Sequence, residues 1–151
     1  MITVEIPCSH CKQQAAAAVR QRITAGGLAW SMSVSCPFCG DRSELDGEGL
    51  PPSDIRQRLL HESGWWEIRV SDSKAILRAL QVLRTSLALP DASLLRLRGI
   101  APQGAIRGTK TEMEFVLAQL SAAGVAATIE PSASDSSSAV DLAMLFEDLR
   151  R

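Results

Sequence analysis

Four cysteines stand in the first 40 residues of this 151-residue chain, as Cys8-Ser9-His10-Cys11 and Cys36-Pro37-Phe38-Cys39-Gly40, with 24 residues between the pairs. A CxxC turn curls two thiolates towards one point while backbone N–H groups aim at the sulfurs. Two such turns supply the four ligands of a tetrahedral zinc, a closed structural site with no open position for a substrate. Pro37 stiffens the second turn, and Gly40 supplies the positive φ needed on leaving it. One structural Zn2+ held by Cys8, Cys11, Cys36 and Cys39 is therefore expected, although iron could occupy the same thiolates. A thioredoxin-like redox pair would need one CxxC opening a helix after a buried strand, and no βαβ pattern surrounds either pair. His10 lies inside the first turn, but the two-plus-two set is complete without it.

The elements that must position these turns are short. Thr3-Val4-Glu5-Ile6 alternates like a strand entering the first turn, and Leu28 to Val34 alternates into the second with Trp30, Met32 and Val34 on one face. Thr24-Ala25-Gly26-Gly27 reads as a turn. Between them, Gln14 to Ile23 is ambiguous: its Ala run favours helix, whereas the Gly-Gly turn after it favours the first arm of a hairpin, and we read it as strand. Residues 1–47 thus resemble the zinc-ribbon class, in which two knuckles clamp a small antiparallel sheet. With so few apolar residues, such a module is expected to need its metal to fold.

Charge bears on what the ribbon could bind. The whole chain carries a net charge of -1, and residues 1–50 set Lys12, Arg20, Arg22 and Arg42 against Glu5, Asp41, Glu44, Asp46 and Glu48. No basic stripe interleaved with aromatics exists there, which disfavours a nucleic-acid-coating surface. No apolar run reaches the roughly 18–20 residues of a membrane span, and Met1 to Glu5 lacks the start of a signal peptide, so a cytoplasmic protein is expected.

Leu45 to Pro52 contains two Gly and a Pro pair and is read as the domain boundary, with residues 48–64 forming a linker and a short helix capped by Ser53-Asp54. Beyond it, Trp65 to Val70 reads as a strand, and Lys74 to about Ser86 as a helix capped from Ser71-Asp72-Ser73. Pro90-Asp91 opens a helix over Ala92 to about Arg98, Gly104 to Gly108 is a strand, Thr109 to Glu112 caps a further helix, and Val125 to Glu130 is the last strand. Fold class is therefore α+β, an antiparallel ribbon followed by a βααβαβ domain over residues 65–130.

Within that domain stand Leu83-Arg84, Leu87-Ala88-Leu89-Pro90-Asp91-Ala92, Ala101-Pro102, Ile106-Arg107-Gly108 and Leu120-Ser121-Ala122-Ala123-Gly124-Val125. In this order they resemble the C-terminal domain of the bacterial ribosomal large-subunit stalk protein, over about 65 of the 151 residues and with short gaps near Ser86, Gly99 and Gly108. The resemblance implies a bacterial-type protein and a docking surface rather than a catalytic one, since stalk domains grip translational GTPases through Lys and Arg on their first two helices. Arg84 is kept, while Gln81 and Ser93 replace lysines usual in the family, which thins that grip.

Pro131 to Ser138 reads as a flexible Ser-rich linker. Residues 139–151 follow as an amphipathic tail helix with Leu142, Leu145, Phe146 and Leu149 on one side, expected to lie in a partner's groove, or else to fold back on its own chain or pair in a homodimer. The chain has two His and no Tyr, no phosphate-binding Gly-rich loop and no HExxH, so no catalytic constellation is expected. The leading expectation is a non-enzymatic protein-interaction adaptor or accessory factor with a protein partner. A translation-linked, RNA- or ribosome-associated role through the ribbon plus Arg96, Arg98, Arg107 and Lys110 is the alternative.

Overall fold

The computed structural model describes residues 1–91, 93, 95, 105–133 and 139–146. They form two compact units, Met1–Ser63 and Gly64–Arg151. Among the described residues, no helix is long and apolar enough to cross a membrane.

In the first unit, β1 (Ile2–Pro7), β2 (Gln14–Thr24), β3 (Gly27–Ser35) and β4 (Arg42–Glu48) form one antiparallel sheet in chain order. The Ala run is strand. Ala15, Ala17 and Val19 are buried, while Gln14, Ala16 and Arg20 are exposed, a period of two that a helix could not produce. Thr24 pairs with Gly27, so β2 and β3 meet in a tight hairpin, and Gly27 takes a φ of 121° that only glycine adopts without strain. β4 was not expected. It lacks apolar alternation, and its place is set by pairing with β3, where Gly47 faces Trp30.

One face of this sheet is covered by α1 (Ser53–Ser63), whose Ile55 and Leu59 join Val4, Ala15, Ala17, Val19, Met32 and Val34 in a single core. Arg58 also donates to the Glu5 carbonyl on β1. The helix assigned to a linker by composition therefore closes the core of the first unit. The compact unit runs on through Ser63, past the boundary expected at Leu45 to Pro52. An amphipathic helix shows in the sequence, but not the sheet it covers.

The second unit contains β5 (Trp66–Val70), a 3-10 turn (Ser73–Ala75), α2 (Ile76–Ser86), β6 (Ala105–Gly108), α3 (Lys110–Ala122), β7 (Ala127–Pro131), β8 (Val140–Asp141) and α4 (Leu142–Phe146). Asp91, Ser93 and Leu95 are helical. The rest of the helix expected over Ala92 to Arg98 lies outside the described residues, as do Ala101-Pro102, residues 134–138 of the expected linker and the tail beyond Phe146.

The sheet order is β7-β5-β6-β8, antiparallel except for the parallel pair β6 and β8. α3 packs across β7, β5 and β6, and α2 packs on α3. Ile68, Leu80, Leu83, Ile106, Met113, Val116 and Leu120 fill the space between. Thr109 and Glu112 form the expected capping box. The Glu112 amide donates to Thr109 Oγ1 at 3.2 Å, and the Thr109 amide to Glu112 Oε2 at 3.0 Å. On the opposite face of β5, Glu67 is only 2% exposed, held by Arg69 and by the Ser132 hydroxyl at 3.0 Å.

β8 was not expected either. The start of the expected tail helix is a two-residue strand on the β6 edge, after which Asp141 Oδ1 accepts from the Ala143 amide at 2.9 Å. Leu142 and Leu145 are fully buried in their own unit, Phe146 is half-buried, and Leu149 lies outside the described residues. The first two therefore dock in cis in this structure. Pro131 closes β7 and the Ser132 amide donates to the Trp65 carbonyl, so the ordered chain continues into the expected linker.

Candidate metal centre

Both cysteine turns lie at the same end of the first unit's sheet, one joining β1 to β2 and the other β3 to β4. Their backbones are equivalent. The Cys8 amide donates to the Gln13 carbonyl and the Lys12 amide to the Cys8 carbonyl, while the Cys36 amide donates to the Asp41 carbonyl and the Gly40 amide to the Cys36 carbonyl. The residue after each CxxC has positive φ, 62° at Lys12 and 73° at Gly40. Gly40 was expected there. Lys12 was not, and its ammonium folds back onto the Ser9 carbonyl at 2.8 Å, tying down the strained turn.

The four Sγ atoms lie within 4.8 Å of one another, with Cys8 to Cys39 at 3.7 Å and Cys11 to Cys36 at 3.5 Å. A tetrahedral zinc with Zn–S bonds near 2.3 Å needs sulfurs about 3.8 Å apart, so the cluster has the size of one metal ion. Cys8 and Cys36 are buried in the core of the first unit, Cys11 is half-buried and Cys39 is exposed. Among the described residues, no other group of three or more metal-capable side chains comes together, and His10 is exposed outside the cluster.

The electrostatics suit a cation. The amides of Cys39 and Phe38 point at Cys36 Sγ and, with neighbouring thiols, bring its pKa down to about 7 against the opposing effect of desolvation. Cys39 is favoured as thiolate by the Asp41 amide, yet desolvation and the three adjacent thiols push it up to about 12. The Gln13 amide likewise favours the Cys11 thiolate, but desolvation and its neighbours prevail and raise it. Four thiolates cannot share this space without positive charge among them, and a metal held by Cys8, Cys11, Cys36 and Cys39 would supply that charge.

The other residues singled out in the sequence are dispersed. Arg84 lies on the exposed side of α2 and pairs with Asp91 at 2.9 Å. Arg107 on β6 stacks over the Trp65 ring at 4.4 Å, and Lys110 lies over Trp66 at 4.9 Å and 3.9 Å from Glu114. Arg96 and Arg98 lie outside the described residues. Arg107 and Lys110 thus have aromatic partners within their own unit, contacts worth about 0.5–2 kcal/mol each. Surface features missed in the sequence are the exposed apolar side chains of Phe38, at 68%, and of Leu77 and Leu95, at 63% and 67%. Leu77 shares a helix stripe with Gln81 and Arg84, a spacing of four and then three residues that could have revealed it.

No family model, curated protein or solved structure matches this chain. The resemblance to the stalk domain therefore rests on the sequence motifs alone.

Proposed function

We propose that the metal is a single structural Zn2+, that the first unit is a zinc ribbon, and that the chain acts without catalysis as a protein-interaction adaptor. The four-thiol cluster on two equivalent knuckles carries the reading. When bound, zinc would act as a cross-link, because four thiolates leave it no position at which to activate water. Cys8 and Cys36 would anchor it to the core, and Cys11 and Cys39 would close it from the solvent side.

Docking is assigned to the second unit, through the stripe of Leu77, Gln81 and Arg84 on α2. An apolar side chain as exposed as Leu77 beside an arginine suits the centre of a small protein interface. Within this reading the stalk-like order of elements supplies the scaffold, and a partner in translation is one form it could take.

Two measurements test this. Elemental analysis of native protein should find one zinc per chain, and iron or no metal would overturn the zinc assignment. Capture from the native host with the wild-type chain and with L77D and R84E should yield a partner that both substitutions lose. A partner released steeply by salt and indifferent to L77D would point to nucleic acid instead.

A further inference from the structure

The C-terminal segment is held by its surroundings rather than by itself. A two-residue strand and one short helix have no stability of their own in water, since helix nucleation is costly and an isolated strand has nothing to pair with. What orders Val140–Phe146 is a groove of the second unit. Val140 and Asp141 pair in parallel with Ile106 and Arg107 on the β6 edge. Leu142 and Leu145 are completely buried and Val140 is 8% exposed, while the fully buried Ser93 donates its hydroxyl to the Leu145 carbonyl at 2.8 Å. This is how a domain binds a short peptide, by strand addition plus helix anchors, except that the peptide belongs to the same chain.

Its attachment point lies on the far edge of the sheet. β7, which precedes the segment, and β8, which begins it, are the two outer strands, separated by β5 and β6. Pro131 shares a row with Trp66, and Val140 shares one with Ile106 and Ile68. Three strand spacings and a two-residue offset put Pro131 and Val140 about 16 Å apart. The nine links between them reach about 30 Å at full extension, so docking in cis depends on the length of the Ser-rich connection.

We propose that this groove is an exchangeable receptor, able to take Val140–Phe146 from a second copy of the chain, so that the second unit can pair two molecules by reciprocal exchange. The occupant is defined by the contacts seen in cis, which a second copy reproduces group for group. At ordinary concentrations the tether favours the cis arrangement, because it keeps the segment at a local concentration in the millimolar range. The proposal is independent of the metal reading.

Deleting residues 134–138 leaves four links, reaching about 13–14 Å, too short to span the sheet. This variant should form a dimer by light scattering and keep the melting temperature of the intact chain. A monomer with a lowered melting temperature would overturn the proposal. Should the variant fail to fold, the full chain with a protease site placed within residues 134–138, nicked while folded, decides the matter. The nicked protein should exchange its segment for a labelled peptide of residues 139–151, with uptake at least tenfold greater than by the uncut chain and abolished by L145D in the peptide. A nicked segment that cannot be replaced short of global unfolding would overturn it.

Discussion

The two units solve the same problem with different materials. The ribbon's core holds three small residues from β2, Ala15, Ala17 and Val19, with Val4, Met32 and Val34 and two side chains lent by α1. The second unit buries Ile68, Leu80, Leu83, Met113, Phe115, Val116, Leu120, Leu142 and Leu145. Each large buried aliphatic or aromatic side chain contributes about 1.5–3 kcal/mol. The first unit, which also buries Leu28 and Leu60 but fewer such side chains in all, would gain the more from a metal cross-link at one end of its sheet, whereas the second unit draws its stability from packing. Where a small sheet is filled with alanine, a bound metal would act as part of the core.

The sharpest way to break this contrast is to remove a ligand. C36S should unfold the ribbon at neutral pH, because structural zinc in comparable modules contributes on the order of 10–16 kcal/mol. The second unit should keep its circular dichroism and melting transition. Acid should act in the same direction. Metal binding requires deprotonated thiols, and the metal-free cluster holds Cys39 at about 12 and Cys11 raised, so falling pH returns protons to the sulfurs and expels the metal. Metal affinity, followed by competition with a chromogenic chelator, should drop as pH falls, and a pH-independent affinity would argue against thiolate ligation.

On the packing side, L145A should cost about 2–5 kcal/mol in the second unit, read by denaturant unfolding, and leave zinc content unchanged. Next in size is G47A. A Cβ there would come within 2.7 Å of Trp30 Nε1, so the ribbon should lose about 1–3 kcal/mol as the indole is displaced, visible as a change in tryptophan emission. The smallest effect should be a gain. Ala88 follows α2 with a φ of 49°, where the Leu89 amide reaches back to the Arg84 carbonyl, and A88G should stabilise the second unit by up to about 1 kcal/mol.

These contrasts also explain what could be read in advance. The knuckles were legible because metal ligation constrains residue type and spacing together, and Gly40 because a positive φ favours glycine. The Thr109 and Glu112 capping box was legible for a similar reason: its chemistry is local. β4 was not, since Arg42 to Glu48 is polar and its strand character exists only through pairing with β3. The membership of α1 was not, because Ile55 and Leu59 reveal an apolar side without naming the sheet beneath it. β8 is too short for any periodicity. The tail's apolar spacing singled out Leu142 and Leu145, which are buried in cis, but spacing cannot say whose groove such side chains enter.

The central claim, that one unit is held by metal and the other by packing, is tested most directly by residue-resolved amide NMR of the intact chain before and after chelation. The account predicts that one zinc leaves per chain, that amides of residues 2–48 lose their dispersion, and that those of β5, α3 and β7 keep their shifts. Unchanged amides in the ribbon after complete metal removal, or collapse of both units together, would contradict it.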